Sequence, residues 1–415
     1  MKIALIGSGS LALGLIYPWL RELPNADVAL ITRAFAGKEG AVDYRPMLRD
    51  QGYKLRTGEQ SHDVTLEHEL LEYDASDLAG CGSGPCVARL VASDVVIVSV
   101  GVGNLGTVGS LLASACRSQE GWSPEVVALE NLHGASSHLV RLVRDRLGAE
   151  EELAAGLTPH AAIPDRSCAR KVELDSLEVV AESFGEIVVE RTLGHLLPQV
   201  AEAEVPQPRV LHVSSGAVQL AEMRKLWLVN GTHTALGFLC DRFGKHVLRH
   251  GLETEGVTEL LSELHLEWVG TLSRVAAQRE ETDEMFKPIE LTRFAGAMFE
   301  RLAETPDMTV HEVLRELADL GAEGPSSPSS VEALAEVIAA EERLSVADLV
   351  STLGRALVPP ALPSMVRLLH KLDDRLAHQL REASCFADQE MPASGLMLSF
   401  GTGTTRRYFD RYLDN

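Results

Sequence analysis

Lys225, Asn230 and His233 stand in the order Lys-x4-Asn-x2-His inside a stretch with a helical pattern. At about 100° per residue they project at roughly 0°, 140° and 80° around the axis, so all three share one broad face. The axial rise from Lys225 to His233 is roughly 12 Å, so a long Lys side chain could converge with an amide and an imidazole on one substrate carbon. Spacing alone fits a solvated helical face with a capping Asn better than it fits chemistry.

A second group lies near the N-terminus. Gly7, Gly9 and Ala12 form a Gly-x-Gly-x-x-Ala pattern, with Gly14 two residues on, between an apolar strand-like run and a helical one. In that context Gly7 permits a tight turn, Gly9 lets the backbone approach a pyrophosphate, and Ala12 keeps helix and strand close. The helix N-terminus adds N–H donors and a partial positive charge, so the expected ligand is a dinucleotide. The plain alternative is a glycine-rich turn without a ligand.

An NAD-binding domain of this kind places an acid at the end of its second strand to accept from the ribose 2′-hydroxyl. Here that place holds Thr32 and Arg33. A small residue followed by Arg removes a repulsive carboxylate and offers a guanidinium to a 2′-phosphate, which favours NADP(H) over NAD(H). If Arg33 only stacks on adenine or faces solvent, NAD(H) is equally acceptable.

These groups need a scaffold. Short apolar runs at Lys2–Ile6, Val28–Ile31, Val95–Val98 and Val126–Leu129 alternate with helical stretches, which predicts a parallel sheet covered on both faces. From about Gly216 onward helix-period patterns dominate, as in Val257–Arg279 and Met365–Arg381, with turn-rich breaks at 324–330 and 358–363. The expected fold is an α/β Rossmann-type N-terminal domain over residues 1–215 that binds the dinucleotide. A mostly α-helical C-terminal domain over 216–415 carries substrate and catalysis.

The composition narrows the partners. A chain of 415 residues exceeds one comfortable core, which agrees with two domains. Its formal net charge of -22 opposes nucleic acid and anionic membranes, leaving a small molecule. No apolar run approaches the roughly 20 residues that span a bilayer and no cleavable leader is evident, so the expected location is cytoplasmic, with the six cysteines reduced. Cys81 and Cys86 read as a structural loop, and His246 and His250 as a solvated helix face without the Glu of a zinc signature, so no metal is expected. An apolar helix face packs internally or against a second subunit, so monomer and homodimer both fit.

The Lys225, Asn230 and His233 array resembles the catalytic motif of the polyol-specific long-chain dehydrogenase/reductase family, of the mannitol-dehydrogenase type. Further matches follow in the family's order: the Gly7–Gly9 turn, Val100-Gly101, Glu130-Asn131 and Asp165-Arg166. The segment from Leu177 to Val179 through Glu182, Ser183 and Phe184 also matches phosphate-using members, and the resemblance covers residues 1–240. It implies that Val100, Gly101, Glu130 and Asn131 border the cofactor. Lys225 would be the general base, Asn131 and Asn230 donors to the substrate oxygen, His233 an orienting group, and Asp165 a neighbour of the site. By themselves Asn131 reads as a helix cap and Asp165-Arg166 as an ion pair or turn.

The implied reaction interconverts a sugar alcohol or its phosphate with the matching ketose, as in the mannitol 1-phosphate and fructose 6-phosphate pair. It runs without metal: a proton leaves the hydroxyl as hydride leaves for nicotinamide, while amides hold the developing charge. A Lys with an ordinary pKa of about 10.4 must fall by about three units, roughly 4 kcal/mol, to serve as the base. Arg293, Arg367 and Lys371 are candidates for a substrate phosphate only by their place in the helical half. Reduction of a keto sugar acid, or of a specialised biosynthetic ketone, fits nearly as well. A non-catalytic NADP(H)-binding sensor is the alternative of another class.

Overall fold

The computed structural model describes residues 1–35, 42–74, 78, 84–132, 134–200, 203, 205–242, 245–254, 257–279 and 281–304. The chain starts with β1 (Lys2–Ile6), a π-helical segment (Ala12–Ile16) that runs into α1 (Tyr17–Leu20), β2 (Asp27–Arg33) and α2 (Arg45–Asp50). Then come β3 (Tyr53–Thr57), β4 (Gln60–Val64), β5 (Glu69–Tyr73), α3 (Pro85–Val91), β6 (Val95–Val98) and α4 (Leu105–Ser118). They are followed by β7 (Glu125–Ala128), α5 (Ala135–Leu147), β8 (Thr158–His160), β9 (Ala162–Asp165) and β10 (Cys168–Val172). β11 (Leu177–Ala181), β12 (Glu186–Glu190) and β13 (Arg209–Val213) complete the strands.

The central sheet has six strands in the order β5-β2-β1-β6-β7-β8, all paired in parallel. The chain leaves β1 toward β2 on one side and returns to β6 on the other, so the order reverses between β1 and β6. The carboxyl ends of strands at such a reversal open the crevice where open α/β sheets bind ligands. Alternate side chains of β1 serve opposite faces, as a pleated strand requires. Ala4 and Ile6 pack with Val87, Leu90, Leu111 and Val140 of α3, α4 and α5. Ile3 and Leu5 pack with Leu13, Leu15 and Ile16 and with Leu55, Val179 and Ala181 of a second sheet.

That second sheet, ordered β10-β11-β3-β4, covers the helix that follows β1, and a third sheet is ordered β13-β12-β9. The second sheet is not evident from hydrophobic periodicity, because β4 and β10 are largely polar and expose most of their residues in part or whole.

The chain divides into two compact units, Met1–Ala221 and, among the described residues, Glu222–Ala303, with Glu304 grouped with the first. The division falls inside α6 (Ser215–Lys225). Beyond α6 come a π segment (Leu226–Asn230), α7 (Gly231–Arg242), α8 (Arg249–Leu252), α9 (Val257–Gln278) and α10 (Pro288–Glu304), with no strand among the described residues. The second unit has its own core, including Trp227, Leu236, Leu261, Trp268, Leu272 and Met298. The expected helix at Met365–Arg381, the breaks at 324–330 and 358–363, Arg367, Lys371, Cys81 and Cys385 lie outside the described residues. His246 precedes α8 and only His250 lies in it, so the two do not share a helix face. No described helix is long and apolar enough to cross a membrane.

Candidate functional site

In the first unit the turn after β1 is held from several sides. Gly7 adopts φ +123°, and a Cβ there would lie 1.9 Å from the Ser99 carbonyl oxygen, so the residue must be glycine. Its N–H donates to the Ile31 carbonyl at 2.8 Å, which joins the ends of β1 and β2. Gly9 has open space where a Cβ would stand, so its backbone can be approached closely. Ser8, between the two glycines, shares hydrogen bonds with the hydroxyls of Thr32 at 2.7 Å and Tyr44 at 2.8 Å. Thr32 is therefore buried and committed to the turn, while Arg33 at the end of β2 is exposed.

Ala12 is fully buried, as close helix and strand packing requires. Gly14 faces the second sheet, and a Cβ on it would stand 2.6 Å from Cys168 Sγ. The π segment around it has a local cause. Pro18 lacks the N–H that would donate to the Gly14 carbonyl in an α-helix, and its ring crowds that carbonyl. The Tyr17 N–H reaches back to Ala12 instead of Leu13. The two carbonyls left over are taken by side chains: Tyr53 Oη donates to Leu13 at 2.7 Å and Arg166 Nη1 to Gly14 at 2.7 Å.

Arg166 is buried and spends its guanidinium on backbone carbonyls: Gly14, Glu182, Phe184 and Ser183. It makes no ion pair with Asp165, the reading that their adjacency suggests. Burial pushes the Arg166 pKa below its ordinary value. The Glu182 carboxylate accepts from the Ser167 N–H at 2.6 Å. Arg166 and the segment at 182–184 thus form one clasp on the helix that follows β1. Asp165 itself ends β9, 4% exposed, opposite the buried Glu186 of β12.

At the carboxyl ends of β6 and β7, Glu130 accepts from the N–H groups of Val100 at 2.5 Å and Gly101 at 2.9 Å. The carboxylate ties the two strand ends together and occupies both donors. Gly101 needs its left-handed φ of +83°. Asn131 follows directly and is exposed.

In the second unit Lys225 is buried at 7% exposure, whereas Asn230 and His233 are half-buried. The π segment between Lys225 and Asn230 changes the geometry expected from a regular helix. Five residues correspond to one i→i+5 repeat, so Asn230 comes round toward the side of Lys225 instead of standing roughly 140° away. His233, three residues further in α7, is next to Asn230 on that side. Thr232 donates to the Leu228 carbonyl at 2.7 Å, giving a partner to one carbonyl of the widened turn. Thr232 Oγ1 also bonds His265 Nε2 at 2.6 Å.

Sequence reasoning missed several cationic groups. Arg170 stacks over the Tyr44 ring in the first unit, 4.1 Å from its centroid. Arg224 and Arg301, both buried in the second, lie 4.0 Å and 5.8 Å from the Phe294 ring centroid. The Arg170–Tyr44 and Arg224–Phe294 contacts join different elements and leave no local pattern to find, whereas Phe294 and Arg301 stand two turns apart on α10. Arg293 is exposed and pairs with Glu290 one turn away on α10, an ordinary surface ion pair.

No family model matches the chain. It is 26% identical over 258 residues to a mannitol-1-phosphate 5-dehydrogenase of Lactococcus lactis subsp. lactis, covering 59% of this chain and 65% of that protein. A mannitol-1-phosphate 5-dehydrogenase of Bacillus pumilus is 26% identical over 231 residues, covering 52% of this chain and 58% of its own length. The match thus spans less than two thirds of either relative. Among solved structures, substrate-free D-sorbitol dehydrogenase superposes with a TM-score of 0.52 at 15% identity, covering 84% of this chain and 79% of that one, a likeness of fold.

Proposed function

We propose that this chain, a distant homologue of the mannitol-1-phosphate 5-dehydrogenases, is an NAD(P)-dependent oxidoreductase that interconverts a secondary alcohol of a polyol or polyol phosphate with the matching ketone. The observation that carries the reading is the side of the second-unit helix shared by buried Lys225, Asn230 and His233. The glycine turn at the sheet's reversal point supports the cofactor half. The dinucleotide supplies the hydride acceptor. Lys225 takes the hydroxyl proton, since taking an amine out of water is the general way a Lys becomes a base near neutral pH. The amides of Asn230 and Asn131 donate to the oxygen as charge develops on it, and His233 orients the substrate. Asp165, buried at the end of β9, is assigned to the neighbourhood of the site by its place in the order of the family's motifs.

The cofactor preference follows from the end of β2. Thr32 spends its hydroxyl on Ser8, and Arg33 has no ion-pair partner among the described residues, so β2 itself ends on an available cation in place of a carboxylate, while the neighbouring Glu72 is paired with Arg45 and Arg49. NADP(H) is the favoured cofactor. Mannitol 1-phosphate and fructose 6-phosphate are the first substrates to try, followed by other ketoses and keto sugar acids.

Lys225→Ala should reduce turnover by at least about a hundredfold while NADPH affinity stays within about threefold, because the Lys acts on the substrate proton. Steady-state rates with ketose phosphates and calorimetric titration of NADPH check both halves. Retained turnover would remove Lys225 from the mechanism. Binding of the dinucleotide without turnover of any polyol or ketose would favour a sensor.

A further inference from the structure

Arg170 lies on β10, the strand that closes over the dinucleotide helix. Cys168 and Arg170 are two residues apart and so share a face of that strand. Cys168 meets Gly14 of the helix, and Arg170 Nη1 donates to the Ser8 carbonyl at 2.8 Å, between the two turn glycines. Tyr44, beneath the guanidinium, also bonds the Ser8 hydroxyl and carbonyl, which fixes the plane of the stack. Among the described residues Arg170 has no carboxylate partner, and one of its five N–H groups is committed.

The surroundings suit an anion. Ser8 is bonded to Thr32, at the strand end that lies by the adenosine ribose in this fold. The nearby acids are already matched: Asp43 by Arg45, and Glu72 by Arg45 and Arg49. The Arg45 guanidinium holds the Asp43 carboxyl below the ordinary carboxylate range. Arg45 Nη1 also donates to the Arg33 carbonyl at 2.7 Å, which anchors the strand end carrying the other unpaired guanidinium.

We infer that Arg170 is a specificity-determining residue for the cofactor: with Arg33 it brackets the ribose 2′-position and binds a 2′-phosphate through N–H groups left over from its bond to Ser8. This rests on the dinucleotide reading of the turn. It assigns the 2′-phosphate to two strands distant in sequence, and it makes Tyr44 the platform that aims Arg170.

The test uses the full chain and titration calorimetry with NADPH, NADH, 2′,5′-ADP and 5′-ADP. Wild type should prefer 2′,5′-ADP to 5′-ADP and NADPH to NADH. Arg170→Gln keeps a donor for the Ser8 carbonyl but removes the charge, and should weaken NADPH by about tenfold or more with NADH within about threefold. Arg170→Lys, which keeps the charge but not the planar stack, should fall between them. Equal losses for NADPH and NADH in both variants would make Arg170 a support of the turn and overturn the inference. Equal wild-type affinity for NADH and NADPH would overturn it while leaving the dinucleotide reading intact. Failure of wild type to bind either dinucleotide would overturn both.

Discussion

His265 has its proton placement dictated by a neighbour. Thr232 donates its hydroxyl hydrogen to the Leu228 carbonyl, so the bond between Thr232 Oγ1 and His265 Nε2 needs the hydrogen on Nε2. Nδ1 is then a buried lone pair with no partner among the described residues. Protonating it would bury a positive charge without an acceptor, and burial pushes the His265 pKa down to about 4 from 6.5. The folded state therefore binds fewer protons than the unfolded chain between those values, so this contribution to stability is complete above pH 6.5 and is lost as pH falls toward 4. The loss is about 3 kcal/mol for this one group. His265→Gln keeps a donor for Thr232 and does not titrate, so urea midpoints of this variant should change less than those of wild type between pH 7 and 4.5. Parallel declines would show that the acid sensitivity arises elsewhere.

At the scale of elements, the helix after β1 depends on contacts from afar. Pro18 withholds one donor, Tyr53 and Arg166 accommodate the freed carbonyls, and Gly14 lets β10 and β11 approach. Gly14→Ala places a Cβ 2.6 Å from Cys168 Sγ and 3.1 Å from Val179 Cγ1. Overpacking of this kind costs about 1–3 kcal/mol, against the roughly 1 kcal/mol that Ala gains over Gly in a helix, so a net loss of about 1 kcal/mol is expected. Adding Cys168→Ala removes the nearest clash and should recover part of the loss in a double-mutant cycle of denaturation midpoints. Strict additivity would show that Gly14 is kept for another reason. The same helix shows how far local pattern reaches. The turn glycines and the apolar strands before and after them are visible in the sequence, because each reports on its own neighbours. The π segment is not, since it needs Tyr53 and Arg166 from other elements, and neither is the second sheet, whose β3 pairs with β11 across more than 110 residues of chain. The array from Lys225 to His233 was legible as residue types, but its angles were not, because a helical period of 100° per residue does not anticipate the widened turn at Leu226–Asn230.

The whole molecule imposes its charge on every ligand that approaches. Sixty acidic residues against 38 basic ones leave a formal net charge of -22, while the proposed cofactor and a phosphorylated substrate are both anions. At about 0.01 M ionic strength the screening length is roughly 30 Å, so an incoming dinucleotide feels most of the chain's repulsion. Near 0.15 M it is about 8 Å, and the guanidiniums of Arg33 and Arg170 then act over a short range with the distant carboxylates screened. The association rate of NADPH, followed by stopped-flow fluorescence, should therefore rise between these two salt concentrations, opposite to the usual fall for a ligand steered by a field of opposite sign. Above about 0.15 M the local contacts are screened as well, so Kd should begin to increase with added salt. An association rate that falls steadily from the lowest salt would mean that the guanidiniums of Arg33 and Arg170, not the net charge, govern the approach from a distance.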